Sequence, residues 1–244
     1  MDGPPRAGKD VLLNRYPTPS QPTAVCLIVT TACDRQCISC AVSVPYRKMW
    51  HVGLGNLREM GEQLGYVENL VVSGGEPTLH PCFEEVIDAV ERYFSFGILC
   101  LATNGAKLLD YRHVWGKFNS IGVSLYPVHK SFGSIPSNEA LVEKITSGLE
   151  LTQNLPVWKT YSVPGKKTKI AILGPIEHNS QPIVGRWPVC RRLWKSVVVY
   201  DGRIYPCCAL PIKAVGEPLS PGWRERWHSL VADCDHCLLP EKEE

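Results

Sequence analysis

The stretch AVCLIVTTACDRQCISC, residues 24–40, runs from an apolar segment straight into three cysteines. A continuous apolar run such as Ala24–Thr30, rich in β-branched residues, reads as a strand buried on both faces, the kind found in parallel sheets. In parallel α/β folds the carboxyl ends of the strands form the ligand-binding face. Cys33, Cys37 and Cys40 stand at that end with the spacing C-x3-C-x2-C. A structural metal site usually takes four ligands, so the fourth is missing.

Outward from this stretch, apolar β-type runs alternate with helical ones. Leu54–Gly65 has helical spacing at Leu57, Met60 and Leu64. Val67–Ser73 reads as a strand, and Pro81–Phe94 as a helix with Pro in its first turn. Phe96–Thr103 follows as a strand, Leu108–Trp115 as a short helix and Ser120–Tyr126 as a strand. Ser137–Gln153 is predicted to be a helix capped by Ser137 or Asn138. Val157–Val163 and Lys167–Gly174 complete the series as strands. Buried strands alternating with helices predict a parallel sheet, open or closed into a barrel. Gly174–Val189 breaks the rhythm with Gly and Pro, and Ser196–Cys207 reads as a β-hairpin turning at Asp201-Gly202.

The bulk numbers narrow the function classes. The chain has 244 residues, room for one sizeable domain and a small appendage. Its net charge is +2, from 26 basic and 24 acidic side chains, so no strong field favours nucleic acid or a membrane surface. The first residues, through Thr23, are rich in Pro and Gly and read as a tail without the apolar core of a signal peptide. No apolar stretch is long enough to span a bilayer. The expectation is a soluble, cytoplasmic protein. Eleven cysteines in a reducing compartment point to metal ligands rather than disulfides.

The polar motifs all fall at strand ends. The cysteine loop follows the first strand, SGGEPT the second, ATNG the third, and SLYP closes the fourth. Thiolates suit soft metals and iron–sulfur clusters. Three ligands on a cluster of four irons leave one iron open, while a zinc site completed by a distant residue, or plain buried cysteines, fits the same spacing. C-x3-C-x2-C after the first strand, with Gly74-Gly75-Glu76-Pro77 after the second, resembles the radical S-adenosylmethionine (radical SAM) superfamily over roughly Ala24–Gly174. The resemblance implies a partial (β/α)6-type barrel and a [4Fe–4S] cluster on Cys33, Cys37 and Cys40. It further implies S-adenosylmethionine bound to the open iron through its amino and carboxylate groups. One electron from the cluster then releases methionine and a 5′-deoxyadenosyl radical. Gly74, Gly75, Glu76 and Pro77 are expected to bind the methionine amino group, glycines allowing close backbone approach. Thr103, Asn104 and Ser124 resemble the family's polar contacts to the cofactor, though each equally suits a helix cap or a loop tie. Ser39 stands where the family usually has an aromatic residue near adenine, which leaves Tyr46 or Trp50 to hold the base.

A second cysteine set lies beyond. Cys190, Gly202 and Cys207 form C-x11-G-x4-C, and Cys234 and Cys237 form CDHC. This resembles the auxiliary-cluster appendages called SPASM and twitch, the shorter twitch form being the better match, and implies an auxiliary [4Fe–4S] cluster on four thiolates. A zinc with four thiolates fits the same spacing. The expected organisation is a tail over 1–23, a radical SAM partial barrel over 24–180 and a twitch-like unit over 181–244. Cys208 is able to exchange roles with Cys207. The spare cysteines, Cys26, Cys82, Cys100 and Cys208, are most simply small packing residues. Cys100 and Cys208 are nevertheless the candidates for giving a hydrogen atom to a substrate radical.

The resemblance implies an enzyme that abstracts a hydrogen atom from an unactivated carbon, served by an external one-electron reductant of flavodoxin or ferredoxin type. Dehydrogenation and epimerisation are the expected outcomes, with sulfur insertion an alternative. The segment before the first strand is short for a peptide-recognition domain. The expected substrate is therefore a polar small molecule, such as a sugar, aminocyclitol or nucleoside in natural-product biosynthesis, and a ribosomal peptide is the alternative. His129, Lys130, Arg191, Arg192 and Lys195 are candidates for binding hydroxyl or phosphate groups, though such charges usually lie on a solvated face. A non-enzymatic electron-transfer module would share the cysteines but has no use for GGEP facing an incomplete triad.

Overall fold

The computed structural model describes residues 24–35, 40, 42, 48–126, 137–155, 158–173, 196–205 and 216–226. Among these residues ten strands and three α-helices follow one another as β1 (Ala24–Thr30), α1 (Leu54–Leu64), β2 (Tyr66–Gly74), α2 (Phe83–Tyr93), β3 (Ser95–Thr103), β4 (Ser120–Ser124), α3 (Glu139–Thr146), β5 (Glu150–Leu155), β6 (Trp158–Ser162), β7 (Lys169–Leu173), β8 (Ser196–Tyr200), β9 (Arg203–Tyr205) and β10 (Glu217–Pro218). They form a single sheet in the order β10-β9-β8-β1-β2-β3-β4-β7-β6-β5. The central stretch from β8 through β7 is parallel throughout. At one margin β6 and β5 run antiparallel, and at the other β9 and β10 do.

The alternation of each strand divides the sheet into two unlike faces. Val25, Leu27, Val29, Leu70, Val72 and Leu99 point to one side, into a core shared with Leu57, Met60 and Leu64 of α1, Phe83, Val86 and Val90 of α2, and Val142 and Ile145 of α3. All three helices bury their apolar stripes there. The opposite face of β2, β3, β4 and β7 presents small, half-buried residues: Val71, Ser73, Cys100, Ala102, Ser120, Gly122, Ser124 and Ala171. None of the described helices packs on that side.

The predicted strands and helices are met closely through β4, with the segment around Leu108–Trp115 realised as a 3-10 helix over Arg112–Lys117. The long helix predicted over Ser137–Gln153 is a correction. It stops at Thr146, the chain turns at Gly148 with φ 75°, and Glu150–Leu155 leaves as a strand. Ser137 Oγ accepts the Glu139 N–H (3.2 Å), whereas Asn138 spends its side chain elsewhere. Of the two strands predicted after it, the one realised as β7 keeps the parallel pattern beside β4, whereas β6 departs from it, lying antiparallel between β5 and β7.

The sixth parallel strand is instead β8, beside β1. The hairpin from β8 to β9 turns at Asp201 (φ 49°) and Gly202 (φ 67°), as its sequence requires. Farther on, Trp223 is almost fully buried, and its Nε1–H donates to the Leu64 carbonyl at the end of α1 (3.1 Å). Arg224 donates to the Tyr66 carbonyl. Residues 216–226 are thus fastened to the junction of α1 and β2. No helix among the described residues is long and apolar enough to cross a membrane.

Candidate active site

The cysteine loop leaves β1 at Thr31 and returns at Trp50, and its neck is tied shut. Thr31 N donates to Trp50 O, and Val52 N to Val29 O, each at 2.9 Å. Thr31 Oγ1 accepts the Trp50 N–H (2.7 Å) and donates to Lys48 O (3.1 Å). Thr30 Oγ1 donates to Trp50 O (3.0 Å), accepts from Ala32 N (2.9 Å) and meets His51 Nδ1 at 2.8 Å. Both threonines are buried. His51 also rests edge-on against His80, whose ring is locked between Val52 O and Cys82 N. Burial pushes the His80 imidazole down from its usual value.

Within the loop, Cys33 and Cys40 are described and Cys37 lies outside the described residues. Cys40 packs with Val42 and Trp50 over Ile28 and Val198, on the face of the sheet opposite the helices. Trp50 stands edge-on to Tyr200 at 4.8 Å. The described part of the loop therefore roofs the β8–β1 side of that face. Cys33 Sγ receives N–H groups from Arg35 N (3.4 Å) and Asn104 Nδ2 (3.9 Å). Burial pushes the Cys33 thiol up to about 12, reinforced by Asp34, Glu76 and Cys40. A thiolate at this place thus calls for a cation to offset it. Two thiols at the carboxyl ends of parallel strands, one with N–H groups aimed at its sulfur, are a donor set that fits an iron–sulfur group.

The strand ends around the loop are wired together by side chains. Glu76 is fully buried. Its Oε1 accepts from Thr78 N (3.1 Å), Thr78 Oγ1 and Thr103 Oγ1 (both 2.6 Å), and its Oε2 from Asn104 N (2.5 Å). Burial raises the Glu76 carboxyl above its usual range, with those hydrogen bonds pulling the other way. Asn138 Nδ2 donates to Asn104 O (2.8 Å) and Ser124 O (2.7 Å), and its Oδ1 accepts from Tyr126 N (2.7 Å). The cysteine loop is carried across to this network by Glu76 N, which donates to Ala32 O (2.7 Å), by Asn104 Nδ2, which donates to Asp34 Oδ1 (2.7 Å) as well as reaching Cys33 Sγ, and by the Arg35 guanidinium, 4.5 Å over the Tyr126 ring.

The sequence-predicted residues Gly74, Gly75, Glu76, Pro77, Thr103, Asn104 and Ser124 are brought together with Cys33. A Cβ on Gly74 would collide with the Thr30 carbonyl, and one on Gly75 with the Ala32 carbonyl and, at 3.0 Å, with Cys33 Cβ. These glycines let β2 press against the root of the cysteine loop, a chain-to-chain approach. The Glu76 carboxylate and Thr103 hydroxyl are spent on ties between β2 and β3. Pro77 is buried in the turn that follows. Cys26 and Cys100, expected to be buried, are both half-buried. They flank Val71 on the face opposite the helices. Burial raises the Cys100 thiol above its usual value.

Cys190, Cys207, Cys208, Cys234 and Cys237 lie outside the described residues, as do Ser39, Tyr46, His129, Lys130, Arg191, Arg192 and Lys195. Among the described residues no group of three His, Cys, Asp or Glu is poised to hold a metal ion. Thr30, Thr31, Asp34, His51 and Asn138 were not singled out from sequence as functional. The polar Thr-Thr doublet ending a buried strand was the signal available.

Solved structures share this architecture. SuiB from Streptococcus suis bound to S-adenosylmethionine matches with a TM-score of 0.50 at 13% identity, covering 85% of this chain and 66% of the SuiB chain. SuiB bound to precursor peptide SuiA matches with 0.54 at 13% identity, covering 85% and 65%. BtrN in complex with AdoMet and 2-DOIA matches with 0.50 at 14% identity, covering 76% and 73%. The chain thus spans slightly less than two thirds of the SuiB length. No protein-family model matches the chain, and no curated protein matches it. At this identity the likeness is one of fold: a mixed α/β fold with a parallel-rich sheet, consistent with a radical SAM fold.

Proposed function

We propose that this chain is a radical SAM enzyme that abstracts a hydrogen atom from a polar small molecule. The observation that carries the reading is the cysteine loop, with Cys33 and Cys40, latched over the carboxyl ends of a parallel sheet whose architecture recurs in S-adenosylmethionine-bound structures. Cys33, Cys37 and Cys40 would hold a [4Fe–4S] cluster, which when bound supplies one electron to the sulfonium of S-adenosylmethionine and yields methionine and the 5′-deoxyadenosyl radical. The threonine neck and the Asn104 and Tyr126 contacts fix the loop's position. The small residues of β2, β3, β4 and β7 leave room for a substrate beside it.

Abstraction gives 5′-deoxyadenosine and a substrate carbon radical. Loss of one electron and one proton from a carbon bearing a hydroxyl would then give a carbonyl; Cys190, Cys207, Cys234 and Cys237 would hold an auxiliary [4Fe–4S] cluster, which when bound would accept that electron. Alternatively, a hydrogen atom given by Cys100 or Cys208 to the face of the radical opposite the abstracted hydrogen would invert the stereocentre, leaving a thiyl radical that one electron from the external reductant and one proton would restore. Modification of a peptide is the second reading, favoured by the likeness to SuiB bound to a precursor peptide. Anaerobic reconstitution with iron and sulfide, followed by reductant and S-adenosylmethionine, should release methionine and 5′-deoxyadenosine. A fully loaded protein that releases neither refutes the proposal.

A further inference from the structure

Asn104 stands at the end of β3, where the resemblance assigns a contact to S-adenosylmethionine, yet its polar groups are already committed. Its Oδ1 accepts from Ala106 N (2.9 Å), and its Nδ2 donates to Asp34 Oδ1 (2.7 Å) and reaches Cys33 Sγ at 3.9 Å. Its main-chain N–H goes to Glu76 and its carbonyl receives Asn138. Only 5% of the residue is exposed. An amide has two N–H groups. Here one serves the neighbouring carboxylate and the other is directed at sulfur.

We infer that Asn104 is a positioning residue for the cysteine loop: it pins the loop through Asp34 and offers an N–H to Cys33 Sγ, and it makes no contact with S-adenosylmethionine. The inference rests on the iron–sulfur reading of that loop. Hydrogen bonds to cysteine sulfur draw charge off the ligand and stabilise the reduced cluster, so they raise its potential. Asn104 would then act on the bound group before any cofactor arrives.

The test uses the reconstituted full chain and three readouts taken apart from turnover: the midpoint potential without S-adenosylmethionine, the rate of iron loss to a chelator, and S-adenosylmethionine affinity by equilibrium dialysis. Asn104→Ala should shift the midpoint potential downward and speed iron loss, with the affinity held within about threefold. Asp34→Ala removes the pin but keeps the N–H on sulfur, so it should speed iron loss with a smaller shift in potential. A tenfold or greater fall in affinity with unchanged potential and iron loss in Asn104→Ala would overturn the inference. Should Asn104→Ala fail to fold, Asp34→Ala decides. Asp34 is exposed, so its fold should hold, and iron retention equal to wild type overturns the pin. A wild-type chain that takes up no cluster refutes the iron–sulfur reading itself, which is distinct from a loaded wild type indifferent to Asn104.

Discussion

Replacing the two neck threonines by valine keeps their branched shape and removes only the hydroxyls. In Thr31→Val the Trp50 N–H loses a 2.7 Å acceptor, and a buried donor left unmade costs about 1–3 kcal/mol. Lys48 O also loses a donor but lies where water replaces it, Lys48 being exposed. In Thr30→Val three partners are lost at once: Trp50 O, Ala32 N and His51 Nδ1. Trp50 O still accepts from Thr31 N, and half-buried His51 turns to solvent, so Ala32 N carries most of the penalty, again about 1–3 kcal/mol. Because both threonines act on Trp50, the double variant should fall short of the sum of the two single losses. Thr31→Ser should recover most of the loss. Denaturant unfolding of the cluster-free chain measures the total, and hydrogen exchange of the Trp50 amide measures the neck itself. If that amide stays as protected in Thr31→Val as in wild type, the hydroxyl does not hold the loop.

Gly75→Ala drives a Cβ into the Ala32 carbonyl and against Cys33. It should cost about 1–3 kcal/mol and reduce iron uptake on reconstitution, measured by unfolding and iron assay. Glu76→Gln places an amide N–H against the Asn104 N–H and should destabilise by about 1–3 kcal/mol. Since burial raises the native Glu76 carboxyl, the folded state binds its proton more tightly than the unfolded state does. Wild-type stability from this group is present below the unfolded carboxylate pKa of about 4.3 and is lost as pH rises through the raised folded value, so the penalty of Glu76→Gln should shrink over that interval of a pH series. Trp223→Phe removes the hydrogen bond to Leu64 O and should cost about 1–2 kcal/mol, whereas Trp223→Ala, which empties a buried site, should cost about 3–5 kcal/mol in the same assay.

The strands through β4 were legible because burial on one or both faces writes itself into local composition, as in CLIV and LVV. The end of α3 was not. GLELTQ has residues that suit a helix, and β5 is an exposed edge strand with no buried face to impose a period of two. Its strand character comes from pairing with β6, a contact outside the local sequence. The same holds for β8, whose place beside β1 depends on residues far apart in the chain. At the site, the cysteine spacing and GGEP could be read directly because their chemistry is local. The ties could not. Asp34 meets Asn104, and Asn138 meets the ends of β3 and β4, across loops whose conformation no short motif encodes. Glu76 was noticed for the motif it sits in, while its buried carboxylate serves the neighbouring strands.

The division of the sheet face gives a sharper test of where a substrate fits. Cys26 and Cys100 occupy equivalent positions on either side of Val71, and both are half-buried. Their surroundings differ. Cys26 packs in the cluster with Ile28, Val42, Val198 and Tyr205, under the part of the loop that carries Cys40. Cys100 lies on the side of β3 and β4 beside Val71, Ser120, Ala102 and Gly122, outside that cluster. A small alkylating reagent, read by peptide mass spectrometry on the folded chain, should label exposed Cys82 first, then Cys100, and Cys26 last. A raised thiol pKa slows Cys100 but does not block it, whereas packing against the cluster hinders the reagent more at Cys26. Equal labelling of Cys26 and Cys100 would mean that the loop does not roof one half of the face, and the space assigned to substrate over β2, β3, β4 and β7 would lose its boundary.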